Sequence, residues 1–404
     1  MLVILSTHPI QYQVPIWQAL ARDGRVPFEV WYLSDHGVRP SADREFGKTF
    51  SWDIDLTSGY PHRFLDRANR CKPDAFWGCR LHEDLAERLS QAGATALWIQ
   101  GWQVAAYWQA ARQARRAGVA LWLRGESNDL AQTPLWKRPF KRVALEYLFS
   151  TVSRFLYIGT ANKRLYRHFG IPEERLSPAL YAVDNERFAR QADDLRPQRP
   201  ALRRQWGIAD DAFCVLFCGK LIAKKRPMDL VQAVASLDAV NPQRRFHVLF
   251  IGSGELGGAL RDACDVVHDA EAGAPSPPGR APRPRASFAG FLNQTEISRA
   301  YVAADCLVLP SDAGETWGLV VNEAMASGLP CIVSDACGSA EDLIAPVDAR
   351  FVFRCGDVAG LGAALVALRD RQPSPETWQR AVAAHDVAAT VATVVALAAK
   401  PSAS

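Results

Sequence analysis

The sequence lacks a hydrophobic run long enough to cross a membrane as a helix, which takes about 18 consecutive apolar residues. Its Ala- and Val-rich stretch from Val387 to Ala399 is too short for this, and Thr390 and Thr393 interrupt it. The segment from Met1 to Ser6 carries no basic residue, so we interpret it as a core strand rather than a signal peptide. We therefore expect a cytoplasmic protein.

Metal-binding patterns and a strong charge imbalance are also missing. Nine cysteines occur without a CxxC pair and without a Cys/His cluster at the spacing of a zinc site. Cys214 and Cys218 fall on one side of an apolar strand, where thiols behave as small buried hydrophobes. An odd number of such cysteines favours a reducing compartment. Because the net charge is only +4, we predict no nucleic-acid partner. Because the Cys/His patterns are missing, we also predict no metal site.

The length of 404 residues exceeds what one ordinary hydrophobic core holds, so two domains are expected. Apolar runs alternate with helical patterns at the spacing of βαβ units, which predicts parallel sheets. The expected fold class is therefore α/β, with two Rossmann-like, doubly wound domains. We place these domains at residues 1–186 and 201–380, with a charged, proline-bearing linker at 187–200 and a C-terminal helix at 381–404.

Three segments fall outside this alternation. The polar, aromatic-rich stretch from Asp35 to Pro73 is typical of a long insertion. Ala272 to Ala286 is rich in Pro, Gly and Arg, and is either a solvated low-complexity loop or a binding patch. Leu135 to Arg142 mixes aromatic and basic residues, which fits either a solvated surface or a peripheral contact with the inner face of the cell membrane.

One stretch, Ser311 to Pro330, combines several features of a binding site. An apolar strand ends before it, a helical segment from Leu319 to Ala326 follows, and glycine and proline close that segment. Glu315 and Glu323 are eight positions apart, or about 12 Å along a helix. A helix entrance beside an acid suits a ligand with a phosphate in the middle and hydroxyl groups at its ends. Two glutamates in such a helix also occur for dipole and solvation reasons alone.

Two further loops follow predicted strands of the same domain. Gly219 to Pro227 contains four cations, which fit either a bound diphosphate or a solvated basic turn. Gly252 to Gly257 has the GxGxxG spacing of a dinucleotide site, but the acid expected after the next strand is replaced by the proline-rich loop. We interpret it as a nucleotide-facing turn and not as an NAD site. Because ligands bind at the carboxyl ends of parallel strands, these loops are expected to form one site.

With these motifs, the second half resembles the nucleotide-binding domain of a family 4 glycosyltransferase, a retaining enzyme of the GT-B fold. The resemblance covers roughly residues 155 to 360 and rests on motifs in the family's order: the Glu-x7-Glu pair Glu315 and Glu323, the basic pair Lys220 and Lys225, the turn glycines Gly252 and Gly254, the Gly338 and Glu341 pair, the junction from Tyr181 to Phe188 and the strand end from Phe288 to Phe291. The first basic position has Lys where Arg is commoner. The resemblance implies two domains facing across a cleft, with the C-terminal helix crossing back to the first.

The resemblance also implies roles for these residues. Lys220 and Lys225 would hold the donor diphosphate and stabilise the leaving group, so that neither a metal nor another cofactor is needed. Glu323 would bind the ribose hydroxyls, and Glu315 the transferred sugar. The remaining predicted donor-binding positions are Thr316, Trp317, Gly318 and Leu319 at the helix N-terminus, and Gly252, Gly254 and Phe291 around the base. Retention in this family is ascribed to same-face attack without an obvious protein nucleophile.

The first half departs from the family pattern. The loop after its first strand, Ser6 to Tyr12, lacks the usual two glycines. Arg124 stands where many members have a histidine that contacts the sugar. His8 could substitute for that histidine or have only a structural role. Arg124 could bind phosphate or an acidic acceptor, because the pair that it forms with Glu126 at a strand end would face the cleft.

The predicted function is transfer of a sugar, with retention, from a nucleotide diphosphate sugar to a hydroxyl acceptor. That acceptor could be a glycan, a lipid-linked molecule or a small molecule. Two alternatives remain open. One is a non-catalytic nucleotide-sugar-binding protein, and the other is a different GT-B enzyme such as a sugar-nucleotide epimerase or a phosphorylase.

Overall fold

The computed structural model describes the chain from residue 1 to 399, apart from residues 37, 39–40, 44–47, 51, 66–70, 73–74, 131–135, 137, 242, 244 and 272–282. The chain divides into two compact units. The first unit contains residues 1–41, 54–181 and 386–404, and the second contains residues 42–53 and 182–385.

The described residues of the first half contain nine strands: β1 (Leu2–Ser6), β2 (Phe28–Tyr32), β3 (Ser41–Asp43), β4 (Lys48–Phe50), β5 (His62–Phe64), β6 (Ala96–Ile99), β7 (Ala120–Leu123), β8 (Arg154–Tyr157) and β9 (Leu176–Pro178). Seven of them build the parallel sheet of the first unit in the order β5-β2-β1-β6-β7-β8-β9, while β3 and β4 pair with each other. Every residue of β1 is buried, as expected of a strand covered on both faces. The strand order reverses between β1 and β6, which is the topological switch point of this sheet.

The helices of the first unit cover apolar residues of this sheet. Alanines at a helical spacing in α3, for example, pack closely against the core that β1 and β6 supply. The helices from the first half of the chain are α1 (Val14–Asp23), α2 (Leu85–Gln91), α3 (Ala105–Arg116), α4 (Arg138–Ser150) and α5 (Thr160–His168).

The second unit repeats the architecture. Its strands are β10 (Phe213–Cys218), β11 (Phe246–Ile251), β12 (Asp265–Asp269), β13 (Arg285–Phe288), β14 (Cys306–Leu309), β15 (Cys331–Ser334) and β16 (Val352–Phe353). They form a parallel sheet in the order β12-β13-β11-β10-β14-β15-β16, which reverses between β10 and β14. Its helices are α6 (Asn185–Leu195), α7 (Arg199–Gln205), α8 (Pro227–Val240), α9 (Gly257–Asp262), α10 (Ser298–Ala303), α11 (Leu319–Ala326), α12 (Val358–Asp370) and α13 (Pro375–Val382). The prediction of two doubly wound α/β domains is confirmed.

The segment 187–200, predicted as a linker, is helical and belongs to the second unit. The carboxylate of Asp184 caps α6 by accepting a hydrogen bond of 2.9 Å from the backbone N–H of Arg187. Pro197 and Pro200 fall in the first turns of short helices, where a missing N–H costs nothing. The prolines that suggested a linker are therefore helix-starting residues.

The C-terminal segment also differs from the single helix predicted. It consists of α13, which belongs to the second unit, and α14 (Val387–Ala398), which belongs to the first. The break falls at residues 383–386, where the carboxylate of Asp386 accepts from the N–H of Val387 and starts the new helix. Within the first unit α14 packs against α1.

Strands also occur where none was predicted. The proposed insertion from residue 35 to 73 contains β5, which pairs in parallel with β2 as an edge strand of the first sheet. β12 ends at Asp269, before the proposed proline-rich loop, and residues 272–282 of that loop lie outside the described residues. Both strands are short or polar, so their sequences lack the apolar runs that marked the other strands.

The cysteines follow the prediction only in part. Cys214 and Cys218 are buried in β10, and burial raises the pKa of each thiol to about 12. Cys71 and Cys79, however, form a disulfide with their Cα atoms 4.7 Å apart. A disulfide does not agree with the reducing compartment inferred from the cysteine count, so the cellular compartment stays a prediction.

A search for membrane spans gives a simple result. No helix in the part of the chain that the structure describes combines the length and the hydropathy required to cross a membrane.

Candidate functional site

The loops that the sequence singled out in the second unit lie at the switch point of its sheet. β10 pairs in parallel with β11 on one side and with β14 on the other. The loop from Gly219 to Pro227, which we call the lysine loop, follows β10. The turn from Gly252 to Gly257, which we call the glycine turn, follows β11, and the loop leading to Glu315 follows β14. Because the carboxyl ends of parallel strands meet at one edge of a sheet, the three loops are neighbours there.

The lysine loop and the glycine turn are held together by backbone hydrogen bonds. The N–H of Gly219 donates to Ile251 (2.9 Å), and that of Leu221 donates to Ser253 (2.9 Å). A Cβ on Gly252 would lie 2.1 Å from the carbonyl oxygen of Gly219, and one on Gly254 would lie 2.5 Å from that of Leu221. Both glycines also have positive φ, at 120° and 157°. Their contacts therefore require glycine at both positions.

The lysine loop and the loop after β14 are joined by an ion pair. The ammonium of Lys225 donates to the carboxylate of Glu315, and both side chains are largely buried, with 16% and 14% of their surface exposed. The hydroxyl of Ser311 lies 3.4 Å from the same carboxylate oxygen. A backbone hydrogen bond of 2.8 Å from Asp312 to the carbonyl of Lys224 adds a second link. An internal carboxylate thus neutralises one of the cations for which an anion was predicted.

The same loop stores backbone strain. Arg226 has a φ of 50°, the left-handed region that residues other than glycine rarely adopt. Its guanidinium pairs with Asp229 in the first turn of α8 at 2.7 Å, which secures the turn. Lys220 and Lys225 are therefore presented by a loop whose shape is fixed at both ends.

The entrance of α11 adjoins this loop region. Gly318 precedes the helix with a φ of 91°, and a Cβ there would lie 2.5 Å from the side chain of Leu309. The backbone at Gly338 packs closely against the residues that precede α11, because a Cβ on Gly338 would lie 1.9 Å from the carbonyl oxygen of Thr316. The indole of Trp317 is buried and donates to Asn322 at 2.8 Å. The predicted positions Thr316, Trp317, Gly318 and Leu319 thus form the turn that begins α11 after β14.

Glu323 lies deeper in the same helix. It is 2% exposed, and its carboxylate accepts a short hydrogen bond of 2.5 Å from the hydroxyl of Tyr301. It is also close to the end of β10, since its charge is the second cause, after burial, of the raised pKa of Cys218. A ribose hydroxyl that reached Glu323 would have to join or replace the hydrogen bond from Tyr301.

The predicted base-side residues are also brought together. The N–H of Gly252 donates to the carbonyl of Gly290 at 2.8 Å, which places the glycine turn beside Phe291. The ring of Trp52 lies 6.3 Å from the ring of Phe291. Asp53 accepts from both the N–H (3.1 Å) and the hydroxyl of Thr295. Sequence reasoning missed Trp52 and Asp53, since they are more than 200 positions away along the chain.

At the switch point of the first unit the bridging groups are neutral. Ser6 is the last residue of β1, and its hydroxyl donates to the side-chain oxygen of Gln13 at 3.3 Å. The amide of Gln13 donates to Gln100, which follows β6, at 3.5 Å. All three side chains are at most 5% exposed. This edge is thus bridged by uncharged amides, where the second unit has an ion pair.

His8 lies in the loop after β1. Its Nδ1 is 3.0 Å from the hydroxyl of Thr7, and its ring is 5.2 Å from that of His36. Burial, and then the nearby His36, lower the pKa of His8 to about 4. The imidazole is therefore neutral at neutral pH, so it is suited to hydrogen bonding rather than to neutralising a phosphate.

Arg124 is buried at the end of β7, with 2% of its surface exposed. Its guanidinium donates to the carbonyl of Ala179 (3.3 Å) and lies 4.8 Å from the centre of the Tyr181 ring. The hydroxyl of Tyr181 in turn donates to Glu126. Arg124 and Glu126 are therefore linked through Tyr181. The binding of a phosphate or an acidic acceptor by Arg124 stays a prediction.

A metal centre was not predicted. Among the residues described, no group of three or more His, Cys, Asp or Glu side chains is arranged to hold a metal ion. Metal independence stays a prediction.

A match to a known protein family falls within the second unit. Residues 212–371 match the family described as Glycosyl transferases group 1. The second unit carries a group 1 glycosyltransferase domain. The predicted resemblance to a glycosyltransferase is thus confirmed for this part of the chain, whereas the finer assignment to family 4 stays a prediction.

Curated relatives share about 30% of the residues over the aligned part of the chain. An uncharacterized glycosyltransferase of Methanocaldococcus jannaschii is 30% identical over 217 residues, which cover 52% of this chain and 50% of the relative. A D-inositol 3-phosphate glycosyltransferase of Nocardia farcinica is 31% identical over 172 residues, which cover 41% of this chain and 36% of the relative. The chain thus spans half or less of the length of these relatives.

Solved structures match both units. HepE of Anabaena, in complex with UDP and glucose, aligns with a TM-score of 0.63 and 15% identity over 99% of both chains. WaaG, a glycosyltransferase involved in lipopolysaccharide biosynthesis, aligns with a TM-score of 0.63 and 14% identity over 99% of this chain and 100% of WaaG. At these identities the likeness shows the fold, which is GT-B.

Proposed function

We propose that the protein is a retaining glycosyltransferase that moves a sugar from a nucleotide diphosphate sugar to a hydroxyl acceptor without a metal ion. The observation that carries this proposal is the Lys225–Glu315 ion pair at the switch point of the second sheet, beside the entrance of α11. A switch point is where α/β sheets bind ligands, and a helix entrance favours phosphate. The group 1 glycosyltransferase domain supports the same conclusion.

Lys220 and Lys225 are assigned to the donor diphosphate. Negative charge grows on this group as the bond to the sugar breaks, and fixed cations nearby stabilise that charge most in the transition state. The ion pair with Glu315 holds the Lys225 ammonium in place before the donor arrives. No reorganisation of this loop is then needed at the moment of reaction.

The acids on α11 and its approach are assigned to hydroxyl groups of the donor. Glu315 accepts from the transferred sugar while it continues to hold Lys225. Glu323 accepts from the ribose, sharing its carboxylate with Tyr301. Gly252 and Gly254 let the backbone approach the nucleotide, and the base lies toward Phe291.

Retention follows from attack on the face that the diphosphate leaves. The acceptor oxygen forms its bond to the anomeric carbon on the same side on which the bond from that carbon to the phosphate oxygen breaks, and the hydroxyl proton of the acceptor passes to the departing phosphate oxygen. This step requires no protein nucleophile. It does require the leaving group to be held close, which is the role assigned to the two lysines.

The test incubates the whole protein with a panel of nucleotide diphosphate sugars and hydroxyl acceptors, and measures release of the nucleotide diphosphate. The panel starts with UDP-glucose, because HepE has been crystallised with it. The anomeric configuration of any product, determined by NMR, tests retention. Release only in the presence of an acceptor supports the proposal. Binding without release would instead indicate a non-catalytic binder, and an isomerised sugar an epimerase.

A further inference from the structure

The most exposed apolar surface of the first unit is a row of side chains along α4. Trp136, just before the helix, is 70% exposed, and Phe140, Val143 and Tyr147 are 77%, 67% and 51% exposed. Their spacings of four, three and four residues place them on one face of a helix. We call these four residues the apolar stripe of α4. Single exposed apolar residues are ordinary, but a continuous row of four indicates a contact surface.

The opposite face of α4 holds the helix to the protein body. Leu145, Leu148 and Phe149 are at most 3% exposed and belong to the core of the first unit. All seven residues from 138 to 144, in contrast, are exposed. The first two turns of α4 therefore stand away from the protein body and present the stripe outward.

The charges of α4 favour an anionic partner. The helix carries three cations, Arg138, Lys141 and Arg142, and one acid, Glu146. Arg142 and Glu146 form an exposed pair one turn apart at 2.7 Å. With three cations and one acid, the helix has a net positive charge. The helical spacing places these cations on the faces of α4 away from the apolar stripe, which is the arrangement of a helix that lies on an anionic surface with its apolar face inward.

We propose that the apolar stripe of α4 docks the protein on a membrane surface rich in anionic lipids. Tryptophan and tyrosine are favoured at the boundary between headgroups and acyl chains, where an indole or phenol is partly apolar and partly hydrated. Lys and Arg on the remaining faces bind anionic headgroups. The helix has 13 residues, or about 20 Å, so it is shorter than the roughly 30 Å hydrocarbon layer and lies in the interface plane.

This inference goes beyond sugar transfer and does not depend on it. The sequence indicated only the basic and aromatic character of residues 135–142. The structure adds Val143 and Tyr147 to the same face and shows that the residues preceding the buried turns are exposed. Together these features are typical of an amphipathic helix that lies on a membrane.

Vesicle flotation of the whole protein tests the proposal. Vesicles of phosphatidylcholine and phosphatidylglycerol in equal amounts are compared with vesicles of phosphatidylcholine alone. We expect the protein to float with the anionic vesicles and to remain largely unbound with the neutral ones. Phe140→Ser should weaken the partition about tenfold, because a mostly exposed phenyl group no longer enters the interface.

Three variants control this measurement. Phe140→Leu keeps an apolar side chain and should retain most of the binding. Val240→Ser changes a residue that is 86% exposed in the second unit, and should leave the binding unchanged. Replacing both Arg138 and Lys141 with Gln should weaken binding to anionic vesicles by about fivefold for each cation removed.

Two results would overturn the proposal. One is equal flotation of the unaltered protein and of Phe140→Ser. The other is a dimer, measured by light scattering during gel filtration, that dissociates in Phe140→Ser while neither form binds vesicles. In that case the stripe would be an interface between two copies of the chain.

Discussion

The switch points of the two sheets have the same strand arrangement, but the side chains that bridge them differ in charge. In the second unit the loops after β10 and β14 are bridged by the ion pair of Lys225 and Glu315. In the first unit the loops after β1 and β6 are bridged by the neutral amides of Gln13 and Gln100. A fold that appears twice in one chain thus carries an ion pair at the switch point of one unit and neutral amides at the switch point of the other. The fold alone does not determine the chemistry of the site.

We propose that the two switch points bind different substrates. A diphosphate needs cations and helix N–H groups, which the switch point of the second unit supplies. A neutral hydroxyl acceptor needs hydrogen-bonding groups without a large charge, which amides and a neutral His8 can supply. The group 1 glycosyltransferase match covers only the second of these switch points.

The largest expected effect is a loss of activity when a cation is removed at the switch point of the second sheet. Lys225→Ala should lower kcat/KM for the donor by about 100- to 1000-fold, because an oriented cation no longer stabilises the leaving diphosphate. Steady-state release of the nucleotide diphosphate measures this loss. Lys163→Ala serves as the control, since that lysine pairs with Glu173 on the first unit at 2.9 Å. Equal activities of the two variants would show that Lys225 does not belong to the donor site.

The next effect concerns the backbone at the switch point of the second sheet. Gly252→Ala should lower the free energy of unfolding of the second unit by about 3 kcal/mol, since its Cβ would meet the carbonyl of Gly219 in a backbone conformation disfavoured for alanine. Gly258→Ala in α9 meets no atom within 4 Å and should stabilise by up to about 1 kcal/mol. Urea unfolding measures both. Equal effects of the two substitutions would contradict the close packing of the glycine turn.

A smaller effect is expected at the buried acid. Glu323→Ala should weaken nucleotide binding about tenfold, because it removes the proposed acceptor for the ribose hydroxyls. Tyr301→Phe leaves the carboxylate in place and should change the affinity less. Calorimetric titration with the nucleotide diphosphate measures both. Unchanged affinity in Glu323→Ala would refute the assignment of this residue to the donor.

The last effect is a dependence of stability on pH, which both units share and which builds up gradually as the pH falls. Burial lowers the pKa of His8 to about 4, with His36 as a second cause, and that of His247 to about 3, with Arg285 next. The unfolded chain therefore takes up protons first, and stability should fall as the pH drops below 6.5 toward 4. The loss is at most about 1.4 kcal/mol per pH unit for each histidine.

Urea unfolding at a series of pH values measures this slope. His8→Gln should reduce it for the first unit and leave the second unit unchanged. A slope that is the same with and without His8 would show that its neutral state does not contribute to stability.

The sequence indicated which loops meet at the switch point of the second sheet, because the residues that mark each loop are close together along the chain. Lys225, Gly252 and Glu315 each lie in a short loop between a strand and a helix, so spacing and residue type were sufficient. Trp52 was missed because its contact with Phe291 joins distant parts of the chain, and nothing in its own neighbourhood indicates that partner. The strand β5 was missed because an exposed edge strand of three residues has no apolar run.

The helices at 185–205 show a different limit. Charged residues and prolines favoured a linker, but a proline in the first turn of a helix is compatible with that helix. Whether such a segment folds depends on what its few apolar residues contact. Phe188 is fully buried and packs on Tyr301, with their ring centres 6.2 Å apart. That contact is long-range and was not visible from composition.

Hydrogen–deuterium exchange of the whole protein, with and without a saturating nucleotide diphosphate, tests most directly whether the switch point of the second sheet is the donor site. The account predicts slower exchange at residues 219–226, 252–256 and 316–321, and unchanged exchange at residues 6–12 and 124–128 of the first unit. Protection confined to the first unit, or no protection with any of the common nucleotide diphosphates, would contradict it.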